Sequence, residues 1–441
     1  MRIIDITICS IDTHKYISGV NTWVRNFSLE LLNSGHNPRL IILTIGKGVF
    51  PLVEFAKKNG IEFLIIQQEL YPFAEDKVTK IIEIVKLWKP HFFLPGILSS
   101  AHFTIPFLRK SNIYSIVVLH SDDSLDRSYL EDFVTSETKY QADAVVSVSE
   151  YIHNWSKDLN DTVKRACIGC GAPMPMNTGK KQATNNLKVV YSGRLVQEQK
   201  RVRDVLNSFE LVVNQFNNVE CYFLGNGPEK SYLQARIKNN GRGRINLMGG
   251  FDSHEVQREL MKYDVLVLLS DYEGLPLAML EAMACGLVVI CLDIDSGVNQ
   301  VIRHLDNGII IKDRENSFVE SINLLIEKPE LLEKIGTSAR ETVIQEYSSK
   351  TSAKRWVNFL DTFPEKTVKA VEIPSNIDIS DCLIKNKYGL SESKQGASKF
   401  KKIRNIFLRI QYEILGCIPF SIFDQLKEFK HRFFYLFNIR T

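Results

Sequence analysis

The chain has 441 residues, 44% of them hydrophobic and 24% charged, which is the composition of a soluble globular protein and too long for a single ordinary core. The formal charge of +4 is unevenly spread. Residues 396–441 carry nine Lys and Arg against three Asp and Glu, so their surplus of six leaves the rest of the chain at about −2.

In chain order, short apolar, β-branched runs alternate with amphipathic stretches. The first half predicts strands at Ile3–Ile8, Arg39–Thr44, Glu62–Ile66, His91–Leu94, Tyr114–Leu119 and Ala144–Ser149, with a helix at Val20–Asn33 ending at Gly35. The polar stretch "PMNTGKKQATNN" then reads as a linker. The alternation restarts with strands at Lys188–Ser192, Glu220–Leu224, Ile245–Met248, Val265–Leu269, Val288–Leu292 and Gly308–Ile311. Helices are predicted at Arg203–Asn214, Glu229–Lys238, Val256–Lys262, Pro276–Cys285, Asn316–Glu327 and Pro329–Ser348. Alternating strands and helices imply parallel sheets covered on both faces. The predicted fold is α/β, with two doubly wound Rossmann-like domains facing a cleft and a C-terminal helical tail. The boundaries are 1–175 for the first domain, 176–186 for the linker and 187–348 for the second domain. A helix at 349–362 crosses back to the first domain, and 363–441 is a basic aromatic tail.

Eight scattered cysteines, most in apolar runs, suit reduced buried thiols in a cytoplasmic protein. Cys167 and Cys170 form one C-x-x-C, but neither a second pair nor a histidine cluster completes a zinc site. The N-terminus lacks the basic start and long apolar core of a secretory leader, and no run reaches the length of a membrane-spanning helix.

The stretch "SDYEGLPLAMLEAMACG" (Ser270–Gly286) joins a strand to a helix, with Pro276 fitting the first helical position and Gly286 the position just past the end. Such a junction points free amides into the cleft, a natural place for phosphate. Glu273 lies on the loop. Glu281 lies inside the helix with Leu277, Ala278, Ala284 and Cys285 as its helical neighbours, so its carboxylate is partly desolvated and needs donors. Ligand hydroxyls would serve; so would a neighbouring loop or a basic side chain. In "YSGRLVQEQKRVRDVL", Gly193 ends a strand, and Arg194 and Lys200 are placed to converge on a pyrophosphate, although a solvated loop pair is the bland reading. Gly19 in "YISGV" opens the first helix and would let its backbone face a phosphate across the cleft. Neither this glycine nor Gly225 and Gly227 in "LGNGPEK" completes a G-x-G-x-x-G, which disfavours a nicotinamide dehydrogenase. His120 in "VVLHSDD" ends a first-domain strand, where it either hydrogen-bonds a substrate or is a satisfied structural histidine.

Together these motifs resemble glycosyltransferase family four, the retaining nucleotide-sugar transferases of GT-B fold. The resemblance rests on Arg194, Lys200 and "EGLPLAMLEAMACG", with "VNTWVRNFSLELLNSGHNPRLIILT", "ADAVVSVSEYI", "CYFLGNGPEKSYL" and "NGIII" in the family's order, and covers roughly residues 1–360. It implies a hexose transfer from a UDP- or GDP-sugar to a saccharide or lipid-linked acceptor, in polysaccharide or glycolipid assembly, with no cofactor and no metal. By position, it gives the donor pyrophosphate to Arg194 and Lys200 and the nucleotide ribose to Glu281. Glu273 and His120 are then the catalytic-centre residues against the donor sugar, with Gly274 and Leu275 offering amides and Gly19 facing the pyrophosphate. The chain departs from the family at "DSGVNQVI", where Gln300 stands in place of a glutamate, and at "IGCGAP", which replaces a Pro-Asn-Gly turn. "DID" (Asp293–Asp295) looks like another transferase fold's metal motif but sits where positive side chains already face the phosphates. A catalytically inactive, sugar-nucleotide-binding subunit is the alternative from a different class.

The tail from Lys399 holds eight of the chain's 25 Phe among basic residues. It predicts either a peripheral contact with the anionic cytoplasmic membrane face, where a lipid-linked acceptor would be found, or helices packed on the first domain. Its Phe residues are too apolar and clustered for a nucleic-acid stacking platform.

Overall fold

The computed structural model describes residues 2–13, 18–156, 163–175, 186–240, 243–251, 253–375 and 377. Most of the linker and the basic aromatic tail, with Cys382 and Cys417, lie outside the described residues.

The first sheet contains β1 (Asp5–Thr13), β2 (Asn37–Ile45), β3 (Glu62–Gln67), β4 (Phe92–Leu94), β5 (Tyr114–Leu119), β6 (Ala144–Ser147) and β7 (Lys164–Cys167). Its order is β3-β2-β1-β4-β5-β6-β7, all parallel. The second contains β8 (Leu187–Ser192), β9 (Val219–Leu224), β10 (Ile245–Gly249), β11 (Val265–Leu268), β12 (Val288–Leu292) and β13 (Ile309–Ile311). Its order is β10-β9-β8-β11-β12-β13, again all parallel. Helices cover both faces of each sheet, so central strands such as β5 and β12 are buried at every residue. Such strands read as unbroken apolar runs rather than as alternation. In both sheets the order reverses beside the first strand, between β1 and β4 and between β8 and β11, the position at which doubly wound sheets bind ligands beyond the strands' C-terminal ends.

Three local features differ from the sequence expectation. β7 is an edge strand of half-buried residues, "KRAC", with neither an apolar run nor an alternation to announce it. Pro276 is the N-cap of the helix Leu277–Ala284, with extended backbone (φ −71°, ψ 118°), and not its first helical residue. The stretch expected as one helix from Pro329 is a helix at Glu330–Thr342 followed by a π-helical turn at Val343–Tyr347; neither glycine nor proline marks the change.

The two crossovers between the domains lie side by side. The Ala172 amide donates to Tyr347 O at 2.9 Å, and the Ser349 amide donates to Ala172 O at 2.8 Å. Gly171 makes this approach feasible, since a Cβ there would stand 2.5 Å from Ser349 Cα. The helix Ser349–Asp361 then packs on the first-domain helix Gly19–Asn33, with the fully buried Trp356 ring 5.0 Å from Phe27 and 5.9 Å from Trp23. Beyond it, Phe363 stacks among Phe92 and Tyr114, and the Lys369 amide donates to Ser111 O at 2.9 Å. One apolar cluster therefore runs from the first sheet through Trp356 to Met279, Leu280 and Met283 of the Leu277–Ala284 helix, while the far face of the second sheet has its own core. Among the described residues, no helix is long and apolar enough to cross a membrane.

Candidate active site

Because β8 and β11 are neighbours, the loops that follow them lie together although more than seventy residues separate them in sequence. The Lys200 ammonium pairs with the Glu273 carboxylate, with side chains only 14% and 5% exposed. Gln199 stitches the same two loops: its amide nitrogen donates to Tyr272 O at 3.2 Å, its carbonyl oxygen accepts Arg194 Nη2 at 2.9 Å, and its backbone oxygen accepts the Asp271 amide at 3.0 Å. The Tyr191 hydroxyl donates to Arg194 O at 2.6 Å and fixes the turn from which the exposed Arg194 side chain projects. Protein packs closely against Gly193: a Cβ on Gly225 would stand 1.9 Å from Gly193 O.

The Leu277–Ala284 helix is capped by no side chain. Its Glu281 is 7% exposed, on a helix whose Met279, Leu280 and Met283 belong to the apolar cluster. No described residue hydrogen-bonds or pairs with the Glu281 carboxylate, so neither a neighbouring loop nor a basic side chain takes up its charge. Burial alone pushes its pKa up to about 7. A desolvated carboxylate without donors is costly, and natural folds retain one where something else supplies them.

On the first-domain side, Gly19 opens its helix behind the Ser18 N-cap, whose hydroxyl accepts the Asn21 amide at 3.1 Å. A Cβ at Gly19 would meet nothing within 4 Å. His120 directly follows β5; its amide and that of Ser121 donate to Asp126 Oδ2 at 2.5 and 2.7 Å. Its ring stands edge-on to Trp23 with centroids 4.8 Å apart, and Nε2 is buried without a partner among the described residues. Burial pushes its pKa down to about 4, so the imidazole is neutral at pH 7. Burial, helped by nearby Asp123, pushes Asp126 up to about 7 against the pull of its two amide donors.

Gly274 brings the halves into contact, since a Cβ there would stand 2.0 Å from His120 O. Leu275 is buried beside Gly169 of the crossover. The structure thus joins Lys200 to Glu273 and Gly274 to His120, and sets the Glu281 helix against the helix that Gly19 opens. Arg194 joins them through Gln199, a residue that sequence reasoning missed, because nothing distinguishes a glutamine beside Lys200 until the β11 loop is placed on it. Trp23 and Asp126, which hold His120, were missed for the same reason.

The thiols of Cys167 and Cys170 are free and pushed up to about 12, mainly by burial, which leaves them protonated and unreactive. Among the described residues no group of three His, Cys, Asp or Glu is arranged to hold a metal ion. Asp293 of the "DID" motif accepts Asn299 Nδ2 at 2.9 Å.

Residues 177–342 match the family described as "Glycosyl transferases group 1". Residues 177–342 are thus similar to that family, and the rest of the chain lies outside the match. Within the curated relatives, a poly(ribitol-phosphate) alpha-N-acetylglucosaminyltransferase of Staphylococcus aureus is 29% identical over 164 residues, covering 37% of this chain and 33% of that protein. An N-acetyl-alpha-D-glucosaminyl L-malate synthase of Bacillus anthracis is 33% identical over 153 residues, covering 34% and 39%. These matches span between a third and two fifths of the relatives' own length. Across the whole fold, the crystal structure of HepE from Anabaena in complex with UDP superposes with a TM-score of 0.62 at 15% identity, covering 82% of this chain and all of that one. The chain therefore has the GT-B fold, and residues 177–342 are the part similar to the group 1 family.

Proposed function

We propose that the protein is a retaining glycosyltransferase that moves a hexose from a nucleotide diphosphate sugar to a glycan or lipid-linked acceptor hydroxyl in polysaccharide or glycolipid assembly. The observation that carries this reading is the buried Glu281 carboxylate, to which no described residue donates, on the helix that follows the Lys200–Glu273 pair. A ribose cis-diol supplies two hydroxyl donors on adjacent carbons, which is what that carboxylate lacks. Lys200 spends one of its three N–H donors on Glu273 and keeps the others for phosphate oxygen, while the Arg194 fork projects beside it. UDP, the nucleotide in the HepE complex, is the first donor nucleotide to test.

In this reading the acceptor oxygen attacks the anomeric carbon from the face on which the phosphate leaves. The bond from that carbon to the β-phosphate oxygen breaks, its electron pair passes to the phosphate, and the same phosphate oxygen takes the acceptor's proton. Configuration is retained and no protein base is required. Arg194, Lys200 and the uncapped amides of the Leu277–Ala284 helix stabilise the charge growing on the leaving group, so no metal is assigned there. Glu273 and the neutral His120 position the donor sugar. Nucleotide release from UDP-, GDP- and ADP-sugars, with and without candidate acceptors, tests the reading. Donor binding with no transfer to any acceptor would move the protein to a sugar-nucleotide-binding subunit.

A further inference from the structure

A short helix, Gly297–Val301, follows β12 and lies against the first-domain helix Glu150–His153. Its Gln300 Oε1 accepts the Glu150 amide at 2.7 Å, a bond between the two domains. The same side chain lies close enough to the Tyr347 phenol on the returning crossover to oppose the rise that burial gives its pKa. Three residues earlier, Gly297 allows a contact that a side chain would forbid: a Cβ there would stand 2.0 Å from Gly274 O and 2.7 Å from Ser149 Cβ. Gly274 in turn abuts His120 O. His120 and Ser149 lie just beyond the C-terminal ends of β5 and β6, which are paired at Leu119 and Ser147. The backbone of the loop that carries Glu273 is thus held between two first-domain loops, on one side directly by His120 and on the other through Gly297 against Ser149.

We propose that Gly297 and Gln300 are positioning residues, an interdomain latch that holds Ser149 and Glu150 against the Gly274 loop and so keeps the Lys200–Glu273 pair and His120 in register across the closed cleft. The amide suits this place. Its oxygen takes the backbone N–H and its nitrogen is free to serve the phenol, whereas a carboxylate would offer only acceptors. Neither residue belongs to the donor-contact set assigned above, so donor affinity and turnover should separate. The turnover part of this inference rests on the proposed transferase function; the conformational part does not.

Gln300 is exposed, so its replacement by alanine leaves folding almost unchanged. In small-angle scattering of the full chain without ligand, Gln300→Ala should show a larger radius of gyration than the wild type, and Gly297→Ala a larger one still. With the best donor found in the nucleotide-sugar screen, Gln300→Ala should lower kcat about three- to tenfold, the population shift that one hydrogen bond can support. Its KM for that donor should stay within about twofold, and Gln300→Glu, which keeps the acceptor for the Glu150 amide but loses the N–H for the Tyr347 phenol, should recover part of kcat. Scattering curves identical for the three chains would overturn the latch, as would kcat unchanged in both alanine variants. A wild type inactive on every donor would sink the transferase reading, and the scattering comparison would still decide the latch.

Discussion

Replacing Glu281 by glutamine should remove a pH dependence that the site builds into donor binding. The wild-type carboxyl is pushed from 4.5 to about 7 by burial. At 1.36 kcal/mol per pKa unit this separates its protonated and ionised forms by about 3 kcal/mol in the empty protein. Between these two values the folded protein binds more protons than the unfolded chain. Stability of the empty protein therefore falls as pH rises through that window and levels off above about 7. Ribose hydroxyls donate to the ionised form, so a donor bound there pulls the pKa back down and expels a proton. Donor affinity should then climb from pH 6 to pH 8 by up to about tenfold, about fivefold of it below pH 7, and flatten above. Glu281→Gln cannot ionise; it should bind the donor more weakly at pH 8, with no such slope, and melt at a higher temperature than the wild type at that pH. Calorimetry with a nucleotide sugar in two buffers of different ionisation enthalpy reads the proton directly. The obvious competitor is Asp126, also pushed up to about 7, which is intact in both proteins. A slope that survives in Glu281→Gln would assign the proton to Asp126 and refute the reasoning.

Other outcomes follow from the same geometry. Arg194→Ala should cut turnover strongly with the fold unaltered, because its exposed fork is held only through Gln199; near-normal hydrolysis and transfer in a steady-state assay would remove it from the leaving-group site. Lys200→Met leaves Glu273 buried and unpaired, which should cost about 3–5 kcal/mol in urea unfolding, and adding Glu273→Gln should recover part of it. Flotation of the full chain with anionic liposomes, compared with a chain ending near Ser375, tests the basic aromatic tail as a membrane contact; equal flotation would discard it.

The parallel two-sheet architecture was legible because buried parallel strands leave continuous apolar runs, as at Tyr114–Leu119 and Val288–Leu292, and glycines close several helices between them. The strand Lys164–Cys167 was not legible, since an edge strand of half-buried residues needs no pattern once its neighbour's hydrogen bonds hold it. Glu281 was legible as an anomaly, a carboxylate among small apolar residues, although the sequence left open a protein partner that the described residues do not supply. The Lys200–Glu273 pair and the contact of Gly274 with His120 were illegible as contacts, because each depends on which strands become neighbours and how the domains meet. Gln300 was visible only as a departure from the family's glutamate. Its partners, Glu150 and Tyr347, come from the other domain and from the crossover.

The measurement that tests the transferase account most directly is nucleotide release from a panel of UDP-, GDP- and ADP-sugars by the wild type and by Glu281→Ala and Arg194→Ala, with the product's anomeric configuration read by NMR. The account predicts release from one nucleotide class, stimulated by a saccharide or lipid-linked acceptor. The product should keep the donor's anomeric configuration, Glu281→Ala should act mainly on donor affinity, and Arg194→Ala on turnover. Inverted product, or release indifferent to both substitutions, would contradict it.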